Sequence, residues 1–194
     1  MNENLAYQEE MPEELIDGRI VAMAPPTLNH NRVAGNIFSI FHEFLRGKVC
    51  EAFSDGVSLY LAKNEYYIPD VMVVCDPDKM HWDGIHGAPD LVVEVLSPRT
   101  MKQDRGHKKE VYERCGVGEY WIVHPLDQTI EQYLLRDGKF VLQEIYTLHT
   151  EYEQEEMPGE AQKQLPREFR CSLYGELVIR LEDVFDRVRT RRSF

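Results

Sequence analysis

No stretch of this 194-residue chain is long and apolar enough to cross a bilayer, because its strictly apolar runs extend over only a few residues. That shortage excludes a membrane-spanning helix. The opening Met1-Asn2-Glu3-Asn4 lacks the basic start and apolar stretch of a secretory signal, so a cytoplasmic address is expected. Basic charge is also scarce: 22 Lys and Arg stand against 34 Asp and Glu, for a net charge of -12. Nonspecific affinity for nucleic acid comes largely from cations that neutralise phosphates. A general polyanion binder is therefore not expected, although local basic clusters occur at Arg99-Thr100-Met101-Lys102, Arg105, Lys108-Lys109 and Arg187-Val188-Arg189-Thr190-Arg191-Arg192.

The four cysteines, Cys50, Cys75, Cys115 and Cys171, lack any C-x-x-C spacing. Neither a zinc knuckle nor a disulfide framework is indicated, and all four are expected as reduced packing residues. No G-x-S-x-G, H-E-x-x-H, Walker loop or G-x-G-x-x-G is present, which removes the usual signatures of serine hydrolases, zinc proteases and nucleotide-binding folds. What is there suits a globular protein, with 43% hydrophobic and 29% charged residues. The length fits a single domain over 1–194 with an irregular, Glu- and Gln-rich loop at about 149–168.

Periodicity gives an outline of the fold. Asp17-Gly18 between two short apolar segments is a hairpin signal. Apolar residues at Val33, Ile37, Ile40, Phe41, Phe44 and Leu45 fall on one helical face, with Thr27 or Asn29 as cap and Gly47 as stop. Strands are expected over Val49–Phe53, Val57–Leu61, Tyr66–Cys75 and Asp90–Leu96. Thr100-Met101-Lys102-Gln103 has the form of a capping box, which predicts a helix from Met101 to Cys115 closed by Gly116. Asp104, Lys108 and Tyr112 recur every four residues and share a face of that helix. Further strands follow at Glu119–Val123, Thr129–Leu135 and Phe140–Tyr146, with a short strand and helix from Glu176 to Val188. A strand, helix, strand unit over Asp90–Val123 makes this an α/β protein with a mixed sheet flanked by helices and extra N-terminal hairpin strands.

Two carboxylates are out of place. Asp70 follows Pro69 in one apolar strand, and Glu94 interrupts Leu91-Val92-Val93-Glu94-Val95-Leu96 in the next. Desolvating an unpaired carboxylate costs several kcal/mol, so each needs a partner, and two acids brought together need a cation. Hard oxygen ligands of this type suit Mg²⁺ or Mn²⁺. Such a site would hydrolyse phosphodiesters by orienting water and offsetting charge on the phosphate. A nearby ammonium would assist.

With these residues in view, the chain resembles a large bacterial family of uncharacterised proteins assigned to the restriction-endonuclease-like, PD-(D/E)xK nuclease superfamily. The residues that carry the resemblance run from Glu14-Leu15-Ile16-Asp17-Gly18 through His30, Pro69-Asp70-Val71, Pro89-Asp90-Leu91-Val92-Val93-Glu94-Val95-Leu96-Ser97-Pro98 and Asp104-Arg105 to Lys108, Tyr112, Gly116-Val117 and Glu119-Tyr120-Trp121-Ile122-Val123. The resemblance implies a restriction-endonuclease-like fold and metal-dependent endonuclease chemistry on DNA, with Asp70 and Glu94 as catalytic metal ligands. The motif's lysine, due two places after Glu94, is Leu96 here, and the resemblance offers Lys108 as the substitute ammonium. Glu14 is a further candidate acid, His30 a candidate phosphate-facing group, and Asp104 and Tyr112 are possible additional site residues. Many nucleases of this fold pair up to cut two strands, so a homodimer is open.

Plainer roles stand beside these. Asp70 could bond backbone amides, Glu94 and Lys108 could form a structural ion pair, and Glu14 could be a surface charge. His30 could serve its own helix cap, Asp104 could answer the helix dipole, and Tyr112 could be core packing with a hydroxyl partner. His81 and His86, around Trp82-Asp83-Gly84, are expected in a solvated loop. The rival to a nuclease is a noncatalytic protein of the same fold acting as a binding or interaction module.

Overall fold

The computed structural model describes residues 13–16, 18–23, 25–63, 65–149, 155–156, 158–159 and 165–189. Most of the expected loop at 149–168 lies outside them, as do Asp17 and the Arg191-Arg192 end of the basic tail. In chain order the elements are β1 (Glu13–Ile16), β2 (Arg19–Ala22), α1 (Leu28–Leu45), β3 (Glu51–Ser54), β4 (Leu59–Ala62), β5 (Glu65–Tyr67) and β6 (Val71–Val74). After a 3-10 turn come β7 (Met80–His81), β8 (Gly84–His86) and β9 (Leu91–Val95). A composite helix follows: α2 (Met101–Gln103), a π-turn (Asp104–Lys108) and α3 (Lys109–Cys115). The rest is β10 (Glu119–His124), β11 (Thr129–Arg136), β12 (Lys139–Thr147), β13 (Glu168–Arg170), β14 (Val178–Arg180) and α4 (Leu181–Val184). No helix among the described residues is long and apolar enough to cross a membrane.

The main sheet has the order β12-β11-β10-β9-β6-β3, with β9 and β10 parallel and the other pairs antiparallel. Parallel neighbours cannot be joined by a tight turn, and the composite helix supplies the crossover. Alternation sorts the strands onto two cores. Val71, Val73, Leu91, Val93, Val95 and Trp121 face Val33, Ile37 and Phe41 of α1. Met72, Val92, Leu96, Tyr120 and Ile122 face Val111 and Tyr112 of α3. Full burial of a side chain such as Ile37 or Phe41 contributes about 1.5–3 kcal/mol, so α1 is held by packing more than by propensity. Thr27 caps it by accepting from the His30 N–H at 3.3 Å, and Gly47 stops it at φ 76°.

A second sheet, β2-β1-β5-β4-β8-β7, covers the same face as α3. Sequence patterning foresaw its N-terminal hairpin and not the sheet, whose other strands are two to four residues long and pair out of chain order. The single strand expected over Tyr66–Cys75 is two, because Pro69 lacks an amide donor and the chain passes from one sheet to the other at Ile68-Pro69-Asp70. The helix begins at Met101 with Thr100 at its N-cap position as expected, but the Thr100 side chain bonds back into the preceding turn instead of capping the helix. The Ser97 hydroxyl accepts from the Thr100 N–H, and the Thr100 hydroxyl from the Ser97 N–H, both at 3.2 Å, in the Pro98–Thr100 turn that leads into the helix.

One expectation is overturned. Cys50 and Cys75 form a disulfide, with an S–S distance of 2.02 Å, whereas Cys115 and Cys171 are free. The cause is register: β3 pairs with β6 as Glu51 opposite Val74, so the next residues outward, Cys50 and Cys75, face each other with Cα atoms 3.9 Å apart.

Candidate active site

The antiparallel register of β6 and β9 sets Val71 opposite Val93, which carries Asp70 to the position opposite Glu94 on the sheet face turned toward the composite helix. Both line one cavity of about 520 Å³, walled also by Glu14 of β1, Val21 and Ala22 of β2, Met23, Pro25, Pro26, His30, Asp55, the Ser97–Thr100 turn and Lys108. The two strands thus bring together acids that lie 24 residues apart in sequence.

Lys108 is the hub. Its ammonium lies 2.8 Å from Glu14 Oε1, 3.2 Å from Glu94 Oε1 and 3.7 Å from Asp104 Oδ1, and only 3% of the residue is exposed. Tyr112, one turn on, donates to the same Glu94 oxygen at 2.7 Å. The spacing Asp104, Lys108, Tyr112 therefore shares a face as expected, although a π-turn rather than regular α-helix carries the first two. Leu96 is buried in the core with Val111 and Tyr112. The amine beside Glu94 comes from the helix instead.

The other candidates fall into place around this hub. Glu14 Oε1 accepts from the Ile68 N–H at 3.1 Å besides holding Lys108. Asp70 Oδ2 accepts from the Val95 N–H at 2.6 Å, and Oδ1 lies 3.3 Å from His30 Nε2. His30 Nδ1 and Asp104 Oδ1 are buried without a hydrogen-bond partner. Asp104, expected as an acid answering the helix dipole, is 1% exposed behind Lys108. Desolvation outweighs the opposing Lys108 charge and pushes its carboxyl up to about 6.

Charge in this cluster does not balance. Burial drives the Glu94 carboxyl well above the usual carboxylate range; Lys108 opposes that rise, while Asp104, Asp70 and Glu14 add to it. Burial would lower Lys108, but Glu94, Glu14 and Asp104 together hold it well above its ordinary value. Desolvation would likewise lower His30, and the Asp70 hydrogen bond and charge raise it overall. One ammonium thus serves several buried carboxylates. The groups that Asp70 and Glu94 offer are carboxylate oxygens, the donor type a hard divalent cation takes, with the His30 imidazole and the Lys108 ammonium beside them; among the described residues no group of three or more His, Cys, Asp or Glu side chains is arranged to hold an ion.

The family named Uma2, described as "Putative restriction endonuclease", matches residues 3–169. The chain belongs to this family. The uncharacterized protein slr1290 of Synechocystis is 35% identical over 139 residues, covering 70% of this chain and 73% of its own. A second Synechocystis protein, sll1609, is 28% identical over 158 residues, with 78% and 89% covered. The crystal structure of a nuclease described as putative, of DUF820 from Anabaena variabilis, superposes with a TM-score of 0.66 at 17% identity, covering 89% of each chain. That likeness shows a shared fold, a mixed α/β architecture.

Residues beyond those singled out in the sequence also line the cavity. Asp55, in the turn between β3 and β4, lines it, and its carboxyl is pushed up by burial and by the Asp70 charge. Thr27, Arg99, Thr100 and Gln103 sit at its wall. A capping threonine, a turn aspartate and a charged loop residue carry no periodic signal, so only tertiary placement identifies them.

Proposed function

We propose that this Uma2 protein is a metal-dependent phosphodiester hydrolase acting on DNA, with Asp70 and Glu94 as ligands of Mg²⁺ or Mn²⁺ and Lys108 as the catalytic ammonium. The observation that carries the reading is the meeting of Asp70, Glu94 and Lys108 at one cavity short of positive charge. When bound, the ion would offset charge building on the phosphate and lower the pKa of water.

The chain's own groups supply the rest. Glu14 fixes the Lys108 amine at 2.8 Å, so the ammonium is oriented before substrate arrives and loses little freedom in stabilising a pentacovalent phosphate. Tyr112 holds one Glu94 oxygen and thereby aims the carboxylate. Arg99, exposed at the cavity wall, and the Thr100 hydroxyl are donors suited to nonbridging phosphate oxygens.

The second reading, a nuclease fold used for binding alone, draws on one observation: both Asp70 oxygens are engaged, one by Val95 and one by His30. Thermal unfolding with Mn²⁺ or Mg²⁺ separates the two. Metal raises the Tm of the wild type and leaves Glu94→Gln unmoved if Glu94 is a ligand; equal shifts in both overturn the ligation. A nuclease assay completes the test, with Lys108→Ala expected to abolish cleavage while keeping most of the metal-induced Tm shift. Retained cleavage in that variant would overturn the role of Lys108.

A further inference from the structure

The small sheet has an outer face, opposite the one that closes the cavity. Pairing register carries a row of rings across it: Tyr66 of β5 stands opposite Tyr60 of β4, and Tyr60 opposite His86 of β8. His81 of β7 lies diagonal to His86. Ring centroids along the row are 5.6, 4.7 and 4.5 Å apart. At one end Trp82, in the β7–β8 turn, is 97% exposed. At the other, Leu15 stands opposite Tyr66, and Ile20, 67% exposed, stands opposite Leu15.

Alternation shows that this row is no overflow from the core. The inward residues of the same strands, Glu14, Tyr67, Leu59 and Ile85, are all buried, and the core is complete without the outer rings. β7 and β8 contribute no cavity-lining residue, yet their hairpin presents an indole and two imidazoles to water. Gly84 lets the hairpin lie flat on β4, since a Cβ there would run into the Ser58 carbonyl.

We propose that this face is a stacking platform for the bases of single-stranded nucleic acid, holding the strand whose backbone enters the cavity on the other side of β1. The proposal rests on the phosphodiesterase reading and adds strandedness to it. The contacting rings form one continuous π-surface, with the Trp82 indole free at its end, on which bases can lie, and every base offers a π-face irrespective of sequence. A duplex hides those faces, so the platform selects unpaired nucleotides. Cations are few here: Asp83 pairs with His86 at 3.1 Å and Glu13 lies near Tyr66. Affinity must then come from stacking, with little counterion release and a shallow dependence on salt. A basic protein-like coat would give the opposite.

The chain has two tryptophans, Trp121 fully buried and Trp82 almost fully exposed, so quenchable emission reports on Trp82. The full chain is titrated with oligothymidylate of about 12 nucleotides in chelator, and acrylamide quenching is followed. The expected result is that the oligomer shields Trp82, a duplex of the same length does not, and log affinity against log salt has a slope corresponding to fewer than about two phosphates. Trp82→Ala, at an exposed turn, and Tyr60→Ala should each weaken binding at least about fivefold with Tm within a degree or so of wild type for Trp82→Ala. Absence of shielding, equal shielding by duplex, or shielding that follows protein concentration alone overturns the proposal; the last result would mark the face as an interface between copies. Because turnover is blocked throughout, a chain that never cleaves DNA still tests the platform, and cleavage without shielding removes the platform alone.

Discussion

Two buried glutamates stand on neighbouring parallel strands and face opposite sides of the main sheet. Glu119 of β10 is 0% exposed and takes hydrogen bonds from neutral donors only: Trp121 Nε1 and Gln132 Nε2 on one oxygen, and Cys171 Sγ, Ser172 N and Ser172 Oγ on the other. Glu94 of β9, 3% exposed, meets an ammonium and a phenol on a single oxygen and borders a cavity with other acids. The first carboxylate is saturated and ties the β13 end to the sheet. The second is undersupplied with positive charge. Burial alone does not distinguish a site from a strut; the identity of the donors and the space beside the oxygens do.

The contrast breaks most visibly at Glu119. Glu119→Ala would leave several buried donors without an acceptor, and urea unfolding should register a loss of about 3–5 kcal/mol. A loss below about 1 kcal/mol would mean that those donors find other partners. The acidic side of the comparison is sharpened by Asp104→Asn. A carboxyl raised from 3.8 to about 6 on folding stabilises the native state fully below pH 4, and that contribution is lost as pH rises through 6. Asp104→Asn should therefore be more stable than wild type at neutral pH by about 2–3 kcal/mol, the gain shrinking as pH falls through 6 and gone below pH 4. Denaturation midpoints across that range check it, and a gain that grows toward acid would refute the sign. The smallest effect is expected at Glu94 itself: Glu94→Gln should change metal-free stability by less than about 1 kcal/mol, since Lys108 keeps Glu14 and burial already favours a neutral group there. A cost equal to that of Glu119→Ala would make Glu94 a strut as well.

Much of this was legible before any coordinates. An acid inside Leu-Val-Val-Glu-Val-Leu announces itself because apolar strands tolerate no unpaired charge, and the four-residue spacing of Asp104, Lys108 and Tyr112 carried the amine and phenol to it. The helix over Leu28–Leu45 followed from its apolar face. What escaped depends on long-range register. The Cys50–Cys75 bond needs the β3–β6 pairing, the ring row on the small sheet needs β4 beside β8, and the saturation of Glu119 needs Ser172 to return from a distant turn. Asp55 and Arg99 sit in turns, where sequence spacing does not determine direction.

The wide turn at Asp104–Lys108 closes through i to i+5 bonds and so holds one residue more than ordinary helix. Removing a single codon there would advance everything upstream by roughly 100° about the axis relative to Tyr112. The angle between the Ser97–Thr100 wall of the cavity and the pair Lys108 and Tyr112 that holds Glu94 is thus set by one residue of helix, with every strand left untouched.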